Sequence, residues 1–472
     1  MRLTRAALIA FCLIPLFSAA AFAGEGYFPE YGSARIGNGL TVYTAPAGEV
    51  ALVSLRLVID AGSLYDPPGL EGISGLAASL LMEGVEGPGG NRIYQAAESL
   101  GGRIAVEKGR DVVVIEGSFM AEDIETGIEL LSRIAISPRF TREQLEGERD
   151  YQASEIGSRR YYQLATDIFL EVSLPAGYSH PVSGYRETLE AITAEDIMEF
   201  YRKYYRPGRS ALVITGSMES SSALELAREY FGEWNAGGAG REEPGAGGAD
   251  PGPAERVLII DQPGITQSEI RIGGAGPGRG TADYYPLTLG NKILGQGRTS
   301  RLYRTLRDDE GLVYAVRTAA GYFRDAGYFG VYTYCGNDRV RRVIDEVVSV
   351  LDSFVGQPVG EAELSGAKNF FRGALPLLME TSGQIADRIV DIHNFGLSAK
   401  SFSHFADSID VLSANRVQDS VTRHFLSGSR VIVVLTDYSE TREQFAGLGP
   451  LEVLTRREAE GGLRNPAPGK EQ

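Results

Sequence analysis

Four histidines, two cysteines and one tryptophan are all that 472 residues provide of these side chains. Cys12 falls inside an apolar run from Ala6 to Phe17, so a chain processed behind that run keeps Cys335 alone and has no internal disulfide, even in an oxidising compartment. His180, His393, His404 and His424 stand eleven or more positions apart. None has the i, i+4 neighbour that would turn two imidazoles of one helix toward a single ion, which leaves only ligation assembled from distant residues. A GxSxG elbow, a GxxxxGK[ST] loop and a dinucleotide GxGxxG are missing, and the glycines of GGAGPGRG at 273–280 have the wrong spacing for a phosphate cradle. Ser365 and Lys368 fit a Ser-x-x-Lys nucleophile pattern, but its SDN and KTG companions are absent, so the pair reads as helix surface. Residue chemistry alone offers no self-contained catalytic centre. Beyond the first apolar run, no stretch is long enough to span a membrane.

Arg2 and Arg5 precede the apolar run, and Ala21-Phe22-Ala23 gives a small-x-small site, the pattern of a signal peptide cleaved after Ala23. Cys12 lacks a lipid-attachment context, so the expectation is an exported, periplasmic, unanchored protein. Without the leader, 44 basic residues face 62 acidic ones, a formal charge of −18. Such a chain is a poor partner for nucleic acid or an anionic membrane. Its length calls for at least two buried cores.

Residues 235–254, NAGGAGREEPGAGGADPGPA, hold seven Gly and three Pro without apolar periodicity, the composition of a flexible linker. The stretches on either side repeat each other. ITAEDIMEFYRKYYRPGRSALVITG from Ile192 aligns without a gap on LSANRVQDSVTRHFLSGSRVIVVLT from Leu412, each with a hydroxyl N-cap, Thr193 or Ser413, a helix, a Gly turn and an apolar strand. LAASLLMEG at Leu76 pairs more loosely with LTLGNKILG at Leu287, each followed by an Arg-led helix from Arg92 or Arg301. Strand-like runs from Leu40, Ala51 and Asp111 alternate with helices without a regular βαβ rhythm, which predicts α+β domains. The segment from Thr141 to about Leu170 reads as one long helix, opened by a Thr141/Gln144 capping box. Two tethered copies suggest a clam-shell with function in its cleft. The expected boundaries are 1–23 leader, 24–234 N-terminal domain, 235–255 linker, 256–445 C-terminal domain and 446–472 polar tail.

In LRDDEGLVYAV, Leu306–Val316, a helix ends near Gly311 and a strand follows, so Arg307 and Tyr314 can converge. A guanidinium and a phenol together are donors suited to a peptide carbonyl that gathers negative charge. On residues alone a plainer reading leads: Arg301, Arg304 and Arg307 form a solvated stripe, and Tyr314 is core. GISGLAASLLMEG, 72–84, has helical spacing, but the face away from its leucines is made of small side chains.

The order of these pieces resembles the insulinase, pitrilysin and mitochondrial processing peptidase superfamily of zinc peptidases over nearly the whole processed chain. GISGLAASLLMEGV stands where members carry GxxHFxEHxxFxGT, and LGGRIAVEKGRDVVVIEGSF is similar to the edge strand LGGxxNAxTxxDxTxY. QLEGERDYQASEI is similar to the helix of the third zinc ligand, and DYYPLTLGNKILGQGRTSRLYRTLRDDEGLVYAV to a glycine loop and SRL leading into LRxxxGLxYxV. The resemblance implies two homologous processing-peptidase-like metallohydrolase domains. The HxxEH positions hold Gly75, Ala78 and Ser79, while Glu155, 76 residues beyond Ser79, keeps the place of the third ligand. One carboxylate does not hold zinc at useful affinity, so no metal or other cofactor is expected in this chain and Glu155 reads as a polar helix residue. Ala105 and Lys108 replace the Asn and Thr of the edge strand.

Arg307 and Tyr314, by contrast, keep the seven-residue spacing of the pair that in this family grips substrate near the scissile bond. The resemblance therefore implies the non-zinc subunit of an exported heterodimeric peptidase. A homologous HxxEH-bearing partner would hold the zinc, and short or unfolded peptides would thread along a sheet edge. Gly295-Gln296-Gly297 is expected either to touch that peptide or to be a simple turn into the next helix. The alternative is a non-enzymatic scaffold or peptide-binding protein of the same fold.

Overall fold

The computed structural model describes residues 28–48, 50–83, 92–136, 138, 140–234, 255–427 and 430–463. The expected leader and the Gly/Pro-rich stretch 235–254 lie outside them. Two six-stranded mixed sheets organise the described residues. The first contains β1 (Gly32–Arg35), β2 (Thr41–Pro46), β3 (Leu52–Ile59), β4 (Arg103–Lys108), β5 (Val113–Met120) and β6 (Ser210–Gly216), in the order β1-β2-β6-β3-β5-β4. The second contains β7 (Glu255–Asp261), β8 (Gln267–Gly276), β9 (Val316–Tyr322), β10 (Gly327–Gly336), β11 (Arg430–Thr436) and β12 (Leu451–Thr455), in the order β12-β7-β11-β8-β10-β9. In each sheet the parallel pair β2 with β6 or β7 with β11 is followed by three antiparallel steps, and the second sheet has a further parallel pair, β12 with β7. The gapless sequence repeat maps onto this symmetry: Thr193 and Ser413 both cap their helices through side-chain oxygens, and β6 and β11 follow at equivalent positions.

Helices α1 (Ile73–Glu83), α2 (Arg92–Ser99), α3 (Ile124–Ile136), α4 (Arg142–Gly157), α5 (Tyr161–Ser173), α6 (Arg186–Ala191), α7 (Ala194–Tyr204) and α8 (Ser220–Phe231) belong to the first half. The second half has α9 (Tyr284–Gly295), α10 (Arg301–Tyr303, continued by a π-helical turn to Asp309), α11 (Val340–Gly356), α12 (Glu361–Ala374) and α13 (Ser382–Phe395), followed by shorter helices.

The central strands are apolar without alternation because both faces are covered. On β11, Ile432 and Val434 enter the core of the second half, while Val431, Val433 and Leu435 meet Leu164, Ala165, Ile168 and Phe169 of α5, a helix of the first half. The exchange is reciprocal. On β6, Leu212 and Ile214 serve the first core, and Val213 meets Ile385, Ala386 and Ile389 of α13, a helix of the second half. Each half thus closes a sheet face of the other.

This exchange corrects the reading of one helix from Thr141 to Leu170. The Thr141/Gln144 capping box is present, but α4 ends at Gly157 and α5 starts at Tyr161, with Arg160 N–H donating to Gln163 Oε1. The chain must turn there, because α4 packs on α1 while α5 lies on β8 and β11. The expected polar tail also begins too early. Residues 451–455 add β12 in parallel to β7, and the following helix, Arg456–Gly461, places Ala459 beside Leu454 under α5.

A second tie is the β9–β10 hairpin tip, which enters the first half. Arg324 donates to Asp60 Oδ1 (2.8 Å), Tyr65 Oη (3.2 Å) and Asn394 Oδ1 (2.8 Å), and its backbone N–H to Asp111 Oδ2 (3.0 Å). Phe323 stacks on Tyr178 at 5.4 Å, and Ala326 joins the first core.

Candidate functional site

Helix α1, where the resemblance places the HxxEH positions, is fixed from its N-terminus. Asp66 accepts from the backbone N–H groups of Gly72 (2.7 Å) and Ser74 (3.0 Å), satisfying donors that α1 cannot pair internally. His180 Nε2 lies 3.2 Å from the same carboxylate, so this imidazole is engaged at the cap. The small face then packs directly on backbone. A Cβ on Gly75 would stand 2.9 Å from Val182 O and 3.3 Å from Gln152 Nε2 of α4, and Ala78 has no exposed surface. Opposite it, Gly184 sits at φ +65°, where a side chain would collide with Glu71 O. An imidazole at position 75 therefore has no room beside the 181–184 segment. Among the described residues no three His, Cys, Asp or Glu side chains group as a metal set. The zinc implied by the resemblance does not fit the residues present here.

Beside this helix a cleft of about 670 Å³ opens between the halves. Its first wall carries Lys108 at the end of β4, an edge strand as expected, with Glu148, Gln152 and Glu155 on successive turns of α4. Its second wall carries Arg317, Tyr328 and Tyr332 of β9 and β10. Burial lowers the Lys108 pKa, opposed by Glu148, 3.8 Å away, and by Glu155. Burial raises the Asp167 pKa, opposed by Arg159 at 3.2 Å. Glu155 itself is exposed and lines the cleft.

Arg307 and Tyr314 do converge. Arg307 Nη1 donates to Tyr314 O at 2.6 Å, and its guanidinium carbon sits 4.8 Å from the Tyr314 ring centre. The turn that joins them places Gly311 at φ +61°, and Tyr314 lies two residues ahead of β9. The plainer reading fails on two counts. Tyr314 is 71% exposed, so it is not core, and Arg301 leaves the solvated stripe to pair with Glu363 of α12 at 2.8 Å. Neither Arg307 nor Tyr314 lines the 670 Å³ cleft. A smaller cavity of about 280 Å³, with Ala315, Arg317 and Tyr332 in its wall, begins one residue beyond Tyr314.

Gly295-Gln296-Gly297 ends α9 instead of simply opening the next helix. Gln296 is the C-cap, with its carbonyl accepting from Lys292 Nζ (2.7 Å), and Gly297 O accepts from Ser300 Oγ (2.7 Å) before α10 starts. These three residues are not in the cleft wall. Lys368 donates to the carbonyls of Asp410 and Leu412, in keeping with a structural role for the Ser365/Lys368 pattern.

Two features escaped the sequence. Arg324 lies 70 or more positions from each of its partners Asp60, Asp111 and Asn394, and no spacing rule links them. Arg317 was hidden likewise: it is an ordinary strand arginine until β10 sets Tyr332 beside it.

The comparisons with known proteins agree with this architecture. Residues 42–170 match the family model described as Insulinase (Peptidase family M16), and residues 191–371 match that described as Peptidase M16 inactive domain. An uncharacterized zinc protease of Mycobacterium tuberculosis is 26% identical over 410 residues, covering 86% of this chain and 92% of that protein. The crystal structure of a protease from Helicobacter pylori superimposes with a TM-score of 0.82 at 17% identity, covering 87% of this chain and all of that one. A peptidase M16 inactive domain from Pseudomonas fluorescens gives 0.79 at 22% identity, covering 86% and 98%. With models of one family matched in both halves and more than half of the residues included, the chain belongs to the M16 insulinase family of peptidases.

Proposed function

We propose that this chain is the non-zinc subunit of an exported, periplasmic heterodimeric peptidase. It binds short or unfolded peptides and presents Arg307 and Tyr314 to the scissile carbonyl, while a homologous HxxEH-bearing partner supplies zinc and general base. The observation that carries this reading is the contrast between the two inherited sites. At α1, the backbone of Val182 fills the space an imidazole would need. At α10, Arg307 and Tyr314 are held against each other with the phenol open to solvent. A guanidinium and a phenol hydroxyl so placed are pre-oriented donors for a carbonyl oxygen, which is where electrostatic preorganisation acts. Gly295-Gln296-Gly297, close in sequence to α10, is proposed to border the peptide path. The clam-shell of this reading closes between the two subunits, because the halves of this chain already share two cores.

The test is a peptide-cleavage assay on this chain, on a candidate HxxEH partner and on their mixture. Hydrolysis confined to the mixture is expected. Equal hydrolysis by the partner alone would reduce this chain to a scaffold, and zinc-dependent hydrolysis by this chain alone would overturn the reading.

A further inference from the structure

We propose that Arg317 is a carboxylate-recognition residue of the cleft, selecting peptides that present a free C-terminal carboxylate or an acidic side chain. This inference rests on the peptide-binding reading above and adds a specificity to it. The residue belongs to a row built across three strands. Tyr332 of β10 is in register with Arg271 of β8 on one side and Arg317 of β9 on the other, and the two guanidinium carbons lie 4.9 and 4.7 Å from the ring centre. Arg271 is buried and committed: it donates to Glu269 Oε2 (3.0 Å), Thr166 Oγ1 (3.1 Å) and Tyr162 O (2.9 Å). Arg317 is exposed, and among the described residues it makes no hydrogen bond or ion pair, only the stack on Tyr332.

The other cations of the cleft are engaged. Lys108 faces Glu148, Arg159 pairs with Asp167, and Arg110 donates to the carbonyls of Tyr178 and His180. Arg317 is thus the cleft cation whose donors have no hydrogen-bond or ion-pair partner among the described residues, and it borders both the 670 Å³ cleft and the 280 Å³ cavity beside it. Stacking holds the planar fork in place, so little side-chain freedom is lost when it donates to two carboxylate oxygens. The opposite wall sets the direction of the ligand. Glu155 on the opposite wall repels a carboxylate from α4. A peptide would thus place its anionic group on the second half, away from α4.

Fluorescence anisotropy with the complete chain and three dye-labelled peptides of one neutral sequence tests this. One ends in a free carboxylate, one in an amide, and one in an amide with a single internal Glu. Wild type is expected to bind at least one acidic peptide about tenfold or more tightly than the neutral amide, and which one identifies the source of the carboxylate. Arg317→Gln should shrink the difference to less than about twofold, and Arg317→Lys, which keeps charge but loses the planar fork, should leave an intermediate difference. Equal binding of all three peptides by wild type, or an undiminished difference in the folded variants, overturns the proposal and leaves peptide binding intact. Failure to bind any of the peptides overturns both.

Discussion

A single methyl group is enough to test how α1 is packed. The Cβ of Gly75→Ala would meet Val182 O at 2.9 Å, closer than carbon and oxygen normally approach, and the obstacle is backbone. The expected loss is about 1–3 kcal/mol in urea unfolding, and an unchanged midpoint would show that the 181–184 segment yields freely. Restoring His, Glu and His at Gly75, Ala78 and Ser79 should for the same reason fail to create zinc binding in a folded protein, as elemental analysis would show. At the other inherited site, Arg307→Ala or Tyr314→Phe should lower turnover of the reconstituted pair by about 10²- to 10³-fold without weakening assembly. Wild-type turnover in either variant would remove their role. The substituted residues at 75, 78 and 79 could be read directly from the sequence. What fills their place could not, because Val182 lies more than one hundred positions away.

Among elements, the N-terminus of α9 is tied to the C-terminal helical segment by one carboxylate. Asp283 accepts from His424 Nε2 (2.7 Å) and Arg423 Nη1 (2.8 Å) and also pairs with Arg416. Burial pushes the Asp283 pKa up, but His424, Arg416 and Arg423 outweigh it and hold the carboxyl below the usual range. A depressed folded-state pKa contributes stability that is present above the unfolded value, about 4, and is lost as pH falls through the folded one. Melting temperatures of wild type should therefore fall more steeply below about pH 4 than those of Asp283→Asn, and parallel curves would refute this account. The helix Ala414–Val421 was legible from its Ser413 cap and apolar spacing. Its partner at Asp283 was not, since the two are joined only when α9 packs beside it. The break between α4 and α5 was missed for a related reason: both sides are helix-forming, and only the position of the second sheet makes the chain turn.

Taken as a whole, the chain is two repeats that complete each other. Leu164, Ile168 and Phe169 of α5 are buried against the second sheet, each contributing about 1.5–3 kcal/mol relative to exposure and Ala165 less, and α13 covers the first sheet in the same way. Arg324 adds a part-buried polar tie, its side chain donating to Asp60 and its backbone N–H to Asp111. Cleavage of the backbone within 235–254 should therefore leave the halves coeluting in gel filtration at their original size. Separation into two particles would mean that the linker, not the shared cores, holds them together. 

The linear pattern by itself determined a duplicated α+β chain, its strands and capped helices, the small residues at 75, 78 and 79 and the seven-residue Arg307/Tyr314 spacing, because periodicity, caps and short motifs are local. It also showed an apolar strand at the end of each repeat. Which helix covers the second face, which arginine is left without a counter-ion in the cleft, and what fills the face of α1 were decided by tertiary structure. Burial pattern records that a surface is covered, while the identity of the covering residues depends on contacts between segments far apart in the chain.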